Sequence, residues 1–388
     1  MVNEQLRRRE GAALRRAATL ELFYDLVFVF SITQISHLLL DELTWAGAGR
    51  AVIVLLAVWW SWNYTTWATN ELNSETNPVR LLLIVLMLGS LLMAIALPHA
   101  FEERGLLFAA AYVAIQLLRH GFLTFVAARR GSVERQQAGR IMTWFLLAGV
   151  FWIAGGLADP SVRMWWWTVA LCVDYLAPIL LYPIPGRPRL MPTTWHIATT
   201  HFSERFGLFV IAALGETVIL TGVTATSHDL NPATVAALII AFISTAAMWW
   251  LYFLTTSKIG EHALRGDDTR TRRARDVYTY GHILVIAGII LSAVGDELVI
   301  AHPLHPLATA ERVAVTAGPI LFLLAQLLIE VRATGRATPA RPVAILACAA
   351  VAVLGASLPG LTISTIMAGI LVLVAIADDR TARRPHTR

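Results

Sequence analysis

Acidic and basic side chains are scarce in this chain, and a few of them stand where proton or ion chemistry could be done. Glu21 and Asp25 are one helical turn apart, and His201, Glu204 and Arg205 lie close together in a later stretch that ends at Glu216. At 100° per residue His201, Arg205 and Glu216 share one helical face; three turns separate Arg205 from Glu216, about 16 Å along the axis, which is too far for a direct pair. Tyr278, His282, Ser292 and Asp296 form a second stripe, with His282 and Asp296 about 21 Å apart. Asp174 stands alone in an apolar run, and Arg119 sits beside His120 in another. Carboxylates and imidazoles in such positions can bind and release protons or coordinate a cation. No familiar chemical motif accompanies them: there is no phosphate loop, no His-Glu-x-x-His zinc helix and no Gly-x-Ser-x-Gly nucleophile turn. Cys172 and Cys348 both lie in apolar stretches, so neither a disulfide framework nor a Cys-rich metal site is expected. Lys258, the single lysine, falls in a loop, which removes a buried Schiff base. No cofactor is expected.

The elements that must position these residues follow from composition. Over 388 residues, 57% are hydrophobic and 15% charged, with a mean hydropathy of +0.63; a soluble domain carries about a quarter charged residues. The charges cluster in short runs between apolar stretches of about 20 residues, the length that crosses a bilayer as helix. The expected fold is therefore an all-α polytopic membrane protein with twelve transmembrane helices. They are read at 20–40, 48–69, 79–97, 105–127, 141–158, 164–183, 202–224, 232–256, 277–300, 310–331, 341–357 and 360–377. Asn77-Pro78, Asp159-Pro160, Pro183 to Pro192, Asn231-Pro232 and Pro359-Gly360 mark the clearest breaks. The Arg-rich start is followed by a stretch too long and too polar for a removed signal peptide, and is read as leading into the first retained span.

Positive residues collect on the cytoplasmic side of membrane proteins. With the N-terminus inside, the even-numbered loops and both ends carry 25 of the 31 Lys and Arg, and the odd-numbered loops carry four. Both termini are thus expected in the cytoplasm, in a multi-pass protein of the cytoplasmic membrane. Basic loops against anionic inner-leaflet lipids account for the basic balance without nucleic acid. The tryptophans at 59, 60, 62, 67, 165, 166, 167, 249 and 250 lie near proposed span ends and read as interfacial belts.

The halves echo one another. Glu21-Leu22-Phe23 matches Glu204-Arg205-Phe206; Trp59-Trp60 with Thr65-Thr66 matches Trp249-Trp250 with Thr255-Thr256; Gln116-Leu117-Leu118 matches Gln326-Leu327-Leu328; and Arg140 matches Arg341, all in the same order. Two parallel six-helix repeats follow: a basic arm at 1–19, repeats at 20–183 and 202–377, a linker at 184–201 and a basic tail at 378–388. Six spans is an even number, so both repeats enter the membrane alike, with a pathway or site expected between them. This orientation puts Glu21, Asp25, Arg119, His201, Glu204, Arg205 and His282 near the inner boundary, Asp296 near the outer one, and Glu216 and Asp174 deepest. A charged inner vestibule leading to a deep carboxylate would suit a proton or cation. The plainer readings are macrodipole capping by Glu21 and Asp25, helix-locking ion pairs at Arg205 and Arg119, and interhelical hydrogen bonds at the histidines.

The run from Glu21 to His37, ELFYDLVFVFSITQISH, resembles the opening signature of the bacterial low temperature requirement A protein family. HFSERFGLFVIAALGE, from His201 to Glu216, resembles its second signature, and His282 through the Ala293-Val-Gly-Asp-Glu-Leu298 run a third. The resemblance implies a bacterial multi-span membrane protein and supplies no substrate. Glu21, Phe23 and Asp25 with the following Val-Phe-Val-Phe are also similar to the first helix of endolysosomal potassium and proton channels, although Tyr24-Asp25 replaces their Ser-Asp. The leading expectation is a secondary transporter or ion-conducting protein, with proton linkage one of its forms, for an unknown small solute or cation. A membrane-embedded enzyme acting on a lipid or isoprenoid, with His201, Glu204, Glu21 and Asp25 as acid, base or metal ligands, is the alternative, as is a sensor or assembly factor. Association into a homo-oligomer is left open.

Overall fold

The computed structural model describes residues 19–187, 199–257 and 270–382. Among them there is no β-strand, only one isolated bridge between Pro306 and Pro359. The described residues form twelve long helices: α1 (Thr19–Asp41), α2 (Trp45–Glu71), α3 (Asn77–Ala96), α4 (Gly105–Phe122), α5 (Val133–Leu157), α6 (Pro160–Ile179), α7 (Thr199–Thr226), α8 (Pro232–Leu251), α9 (His282–Ala301), α10 (Thr309–Thr334), α11 (Ala340–Leu354) and α12 (Gly360–Ala382). Eleven are long and apolar enough to cross a bilayer; α6, with 20 residues, holds Arg163 and Asp174.

Helix starts follow local chemistry. Asn231 accepts hydrogen bonds from the N–H groups of Ala233 and Thr234 ahead of Pro232, and Asp159 accepts from Ser161 N–H ahead of Pro160. That bond holds the exposed Asp159 carboxyl below its ordinary pKa. Proline at the first helical position removes an N–H that would have no partner there anyway. Ser132 caps α5, so this helix begins at Val133, earlier than its apolar stretch. Capping chemistry, not hydropathy, sets that end. At the end of α6, Leu181 and Tyr182 take left-handed backbone, ending the helix and turning Tyr182 inward to hydrogen-bond Tyr64.

The chain forms two compact units, one built from residues up to Leu38, Trp45–Arg205 and Asp267–Thr271, the other from Leu39–Thr44, Phe206–Gly266 and Arg272 onward. In the first, α4 packs on α3 and α5, α5 on α6, and α2 on α4 and α6. In the second, α9 packs on α10, α10 on α11, α11 on α12, and α8 on α12. The α9–α10 seam is tight because small residues recur along it. A Cβ on Gly288 would stand 2.7 Å from the backbone nitrogen of Phe322, one on Gly295 2.7 Å from the Cα of Val315, and one on Gly281 2.8 Å from the side chain of Ile329. Both sets are spaced by seven, so two antiparallel helices meet backbone to backbone once every two turns.

The aromatic belt expected at the span ends is only partly present. Trp165, Trp166, Trp249 and Trp250 are exposed, but Trp59, Trp60, Trp62 and Trp167 are fully buried. The reason is polar: Trp62 donates to Asp25 and Trp167 to the carbonyl of Trp152. A buried indole usually finds an acceptor for its N–H; Trp60 is held instead by stacking on Tyr175.

Candidate functional site

The first unit gathers most of the buried charge into two clusters. The first joins α1 to the start of α7. Arg205 Nη1 and Nη2 donate to Asp25 Oδ2 and Oδ1, each at 2.8 Å, and Nη1 also donates to the carbonyl of Glu21. Trp62 Nε1 donates to Asp25 Oδ1 at 2.7 Å, and His201 Nε2 lies 2.6 Å from Glu21 Oε2. Glu21, His201 and Arg205 are fully buried and Asp25 is 3% exposed. The one-turn spacing of Glu21 and Asp25 is thus matched by the one-turn spacing of His201 and Arg205, acid against base. A bidentate guanidinium–carboxylate pair is strong and directional. The inner charges expected to line a vestibule are paired with one another; Glu204, beside them, is half-buried.

The second cluster lies along α4. Asp174 of α6 is buried, and its Oδ2 accepts from Tyr112 hydroxyl at 2.7 Å and from Trp152 Nε1 at 3.0 Å. Its Oδ1 is buried with no hydrogen-bond partner. Seven residues beyond Tyr112 on α4, about 10 Å, Arg119 is fully buried. It donates to the Ser61 carbonyl at 3.2 Å, to Thr65 Oγ1 at 3.0 Å and to Gln116 Oε1. Its guanidinium also lies over the rings of Tyr64 and Phe145. Tyr24 hydroxyl bonds to the same Thr65 Oγ1 at 2.9 Å. Gln116 stands between the two groups with its amide nitrogen unbonded, and Arg119 lies within electrostatic reach of Asp174. Among the described residues, no carboxylate lies within ion-pair distance of Arg119.

In the second unit the ionisable groups are arranged differently. Glu216 is buried on α7. His282 hydrogen-bonds the Val277 carbonyl through Nδ1 at 3.0 Å and Tyr252 hydroxyl through Nε2 at 2.8 Å. Nδ1 must therefore carry the proton toward the carbonyl, and the neutral ring accepts from tyrosine. Tyr252 opens a π-helical turn, Tyr252–Thr256, and His282 follows another, Arg275–Gly281; this bond ties the two irregular segments together. Tyr278 stacks on His282, as the shared stripe implied. Asp296 is buried with Oδ2 unbonded. Arg341, fully buried, is clasped by Glu330 at 2.9 Å and Asp378 at 2.7 Å.

Among the described residues, one group of three has ligand atoms close enough to hold a metal ion: His99, Glu102 and Glu103, in the exposed α3–α4 connection. It contains none of the sequence candidates.

Sequence reasoning singled out Glu21, Asp25, Asp174, His201 and Arg205, and missed what holds them. Nothing in the sequence marks Tyr24, Trp62, Thr65, Tyr112 or Trp152 as a partner of these charges, because an aromatic or hydroxyl residue in an apolar span looks like packing until its partner is known. Glu330 and Asp378 were also missed; the match of Arg140 with Arg341 was the available clue.

Apolar helices with charged side chains buried among them define a polytopic membrane protein. The chain belongs to the bacterial low temperature requirement A protein (LtrA) family, whose profile matches residues 16–376. It is 38% identical over 333 residues, 86% of this chain and 81% of the relative, to the uncharacterized protein RA0937 of Rhizobium meliloti (strain 1021). No solved structure matches the chain.

Proposed function

We propose that this protein is a proton-linked secondary transporter or ion-conducting protein of the cytoplasmic membrane, with twelve spans in two parallel six-helix repeats and both termini in the cytoplasm. The observation that carries the reading is Asp174. One of its oxygens takes both hydrogen bonds, from Tyr112 and Trp152, and an asparagine oxygen could accept the same two. The second oxygen is buried and unbonded. Burying an ionisable group in an apolar bundle costs several kcal/mol on insertion scales, and packing alone gives no return for it. Binding and releasing a proton or cation does.

Arg119 shapes the mechanism. A guanidinium does not deprotonate in proteins, so a proton cannot hop along α4 through it, and an open proton wire is the less suitable form. Proton or cation exchange at Asp174, opposite a fixed positive charge, is the better one: the two states of Asp174 differ in the charge that Arg119 faces, and a carrier needs two states that a bound ion can bias. Glu216 is a second deep carboxylate in this scheme, and Asp296 a third group of the same kind. The Glu21–His201 and Asp25–Arg205 pairs act as a latch at the inner end. Their burial and pairing argue against the enzyme reading, which needs these groups free to meet a substrate.

Purified protein in liposomes, with a pH dye inside and imposed potassium and proton gradients, tests the reading. A protein-dependent proton flux is expected, abolished by Asp174→Asn and reduced by Glu216→Gln. Undiminished flux in both variants would remove these carboxylates from any pathway.

A further inference from the structure

The matching stretches of the two halves differ at two adjacent positions, Arg119-His120 in α4 and Ile329-Glu330 in α10. Four residues after Gln326, α10 offers Glu330; four residues after Gln116, α4 offers His120. In the second unit Arg341 is held by Glu330 and by Asp378 of α12. In the first unit the matching arginine, Arg140 of α5, is 3% exposed, and its Nε and Nη1 have no hydrogen-bond partner. No ion pair reaches it among the described residues. His120 cannot replace the glutamate: its Nδ1 is bonded to the Gln116 carbonyl and its ring packs on Tyr64 and Phe145. Nor does α6 replace Asp378, because no acid follows Asp174 up to residue 187.

We propose that Arg140 anchors an oxyanion site where α4 meets α5, taking a carboxylate or phosphate group that occupies the place Glu330 and Asp378 fill in the second unit. A buried guanidinium without a counter-charge is strongly disfavoured, and a pair of oxygens answers its fork geometry. A second unused donor lies just after α4, against the residue that precedes Arg140. The Thr124 hydroxyl is buried and unbonded, and the Thr124 methyl lies 3.7 Å from where a Cβ on Gly139, next to Arg140, would stand. The oxyanion comes either from a soluble solute or from a lipid headgroup; the chemistry that Arg140 recognises is the same. As a solute it would be the cargo class of the proposed transporter, but the binding claim does not depend on transport.

The test is equilibrium binding, which can succeed or fail whether or not proton flux is found. The full chain is placed in phosphatidylcholine nanodiscs, and its thermal unfolding midpoint is followed as sodium phosphate or sodium acetate replaces sodium chloride at constant ionic strength. Wild type is expected to rise by roughly 2–4 °C at saturation, and Arg140→Gln to show no rise. His120→Glu, which installs the carboxylate of the second unit, is expected to start higher and respond no further. In phosphatidylglycerol nanodiscs, a wild type already stabilised relative to Arg140→Gln and indifferent to phosphate assigns the headgroup as the source; a phosphate response in both lipids assigns a solute. The proposal is overturned if wild type responds to neither anion and gains nothing over Arg140→Gln in phosphatidylglycerol, or if the two proteins respond alike.

Discussion

The two units treat one matching pair of buried arginines in opposite ways. The second closes its arginine within the chain: Arg341 is gripped by carboxylates on the helices before and after its own. The first leaves charge open, at Arg140 and at Asp174 Oδ1, and satisfies Arg119 with a carbonyl, a hydroxyl and an amide instead of an acid. A closed ion pair gains its stability from one fixed geometry, and removing either partner leaves the other stranded. An open charge is stable only with a ligand, a proton or a change of state. At this matched pair of arginines the first unit is equipped to bind and the second is built to hold its shape, while Asp296 Oδ2 leaves one acid open in the second unit as well.

The sharpest way to break this contrast is to remove the closed arginine. Arg341→Gln should cost about 3–5 kcal/mol by stranding the carboxylates of Glu330 and Asp378, read as a large fall in the denaturation midpoint. Arg140→Gln, in anion-free buffer, should cost far less; equal losses would erase the distinction. Next comes the helix seam. Gly288→Ala pushes a methyl against the Phe322 backbone, 2.7 Å away, and should cost about 1–3 kcal/mol. In the first unit, Gly149→Ala meets only the two Val113 methyl groups, at 3.2 and 3.5 Å, and should be close to neutral in the same melt. Tyr112→Phe removes one of the two donors to Asp174 and should cost roughly 1.5 kcal/mol while altering the pH profile of any proton flux; a flux profile identical to wild type would make Tyr112 structural alone. The smallest effect belongs to a cap outside either cluster: Asn231→Ala should cost about 1 kcal/mol by freeing two N–H groups at the start of α8, with no change in flux or anion response.

Legibility differed by residue. The starts of α3, α6 and α8 could be read directly, because Pro78, Pro160 and Pro232 act through their own ring and their immediate neighbours. Glu21, Asp25, His201 and Arg205 were readable as candidates, since an ionisable residue in an apolar run stands out by its expense. Their pairing was not readable, because it depends on bringing α1 against the start of α7. The same limit explains the tryptophans. Trp62 and Trp249 look alike in sequence near a span end, yet one is buried on Asp25 and the other is exposed. Only the position of an acceptor on another helix separates them.

Composition, hydropathy and proline placement, which are sums over neighbouring residues, determined by themselves that this is a helical membrane protein and roughly where its helices begin and end. Which charges are closed and which are open was decided by tertiary structure alone. A guanidinium is satisfied or stranded according to what lies within about 3 Å of it, and in this chain most of those groups come from other helices.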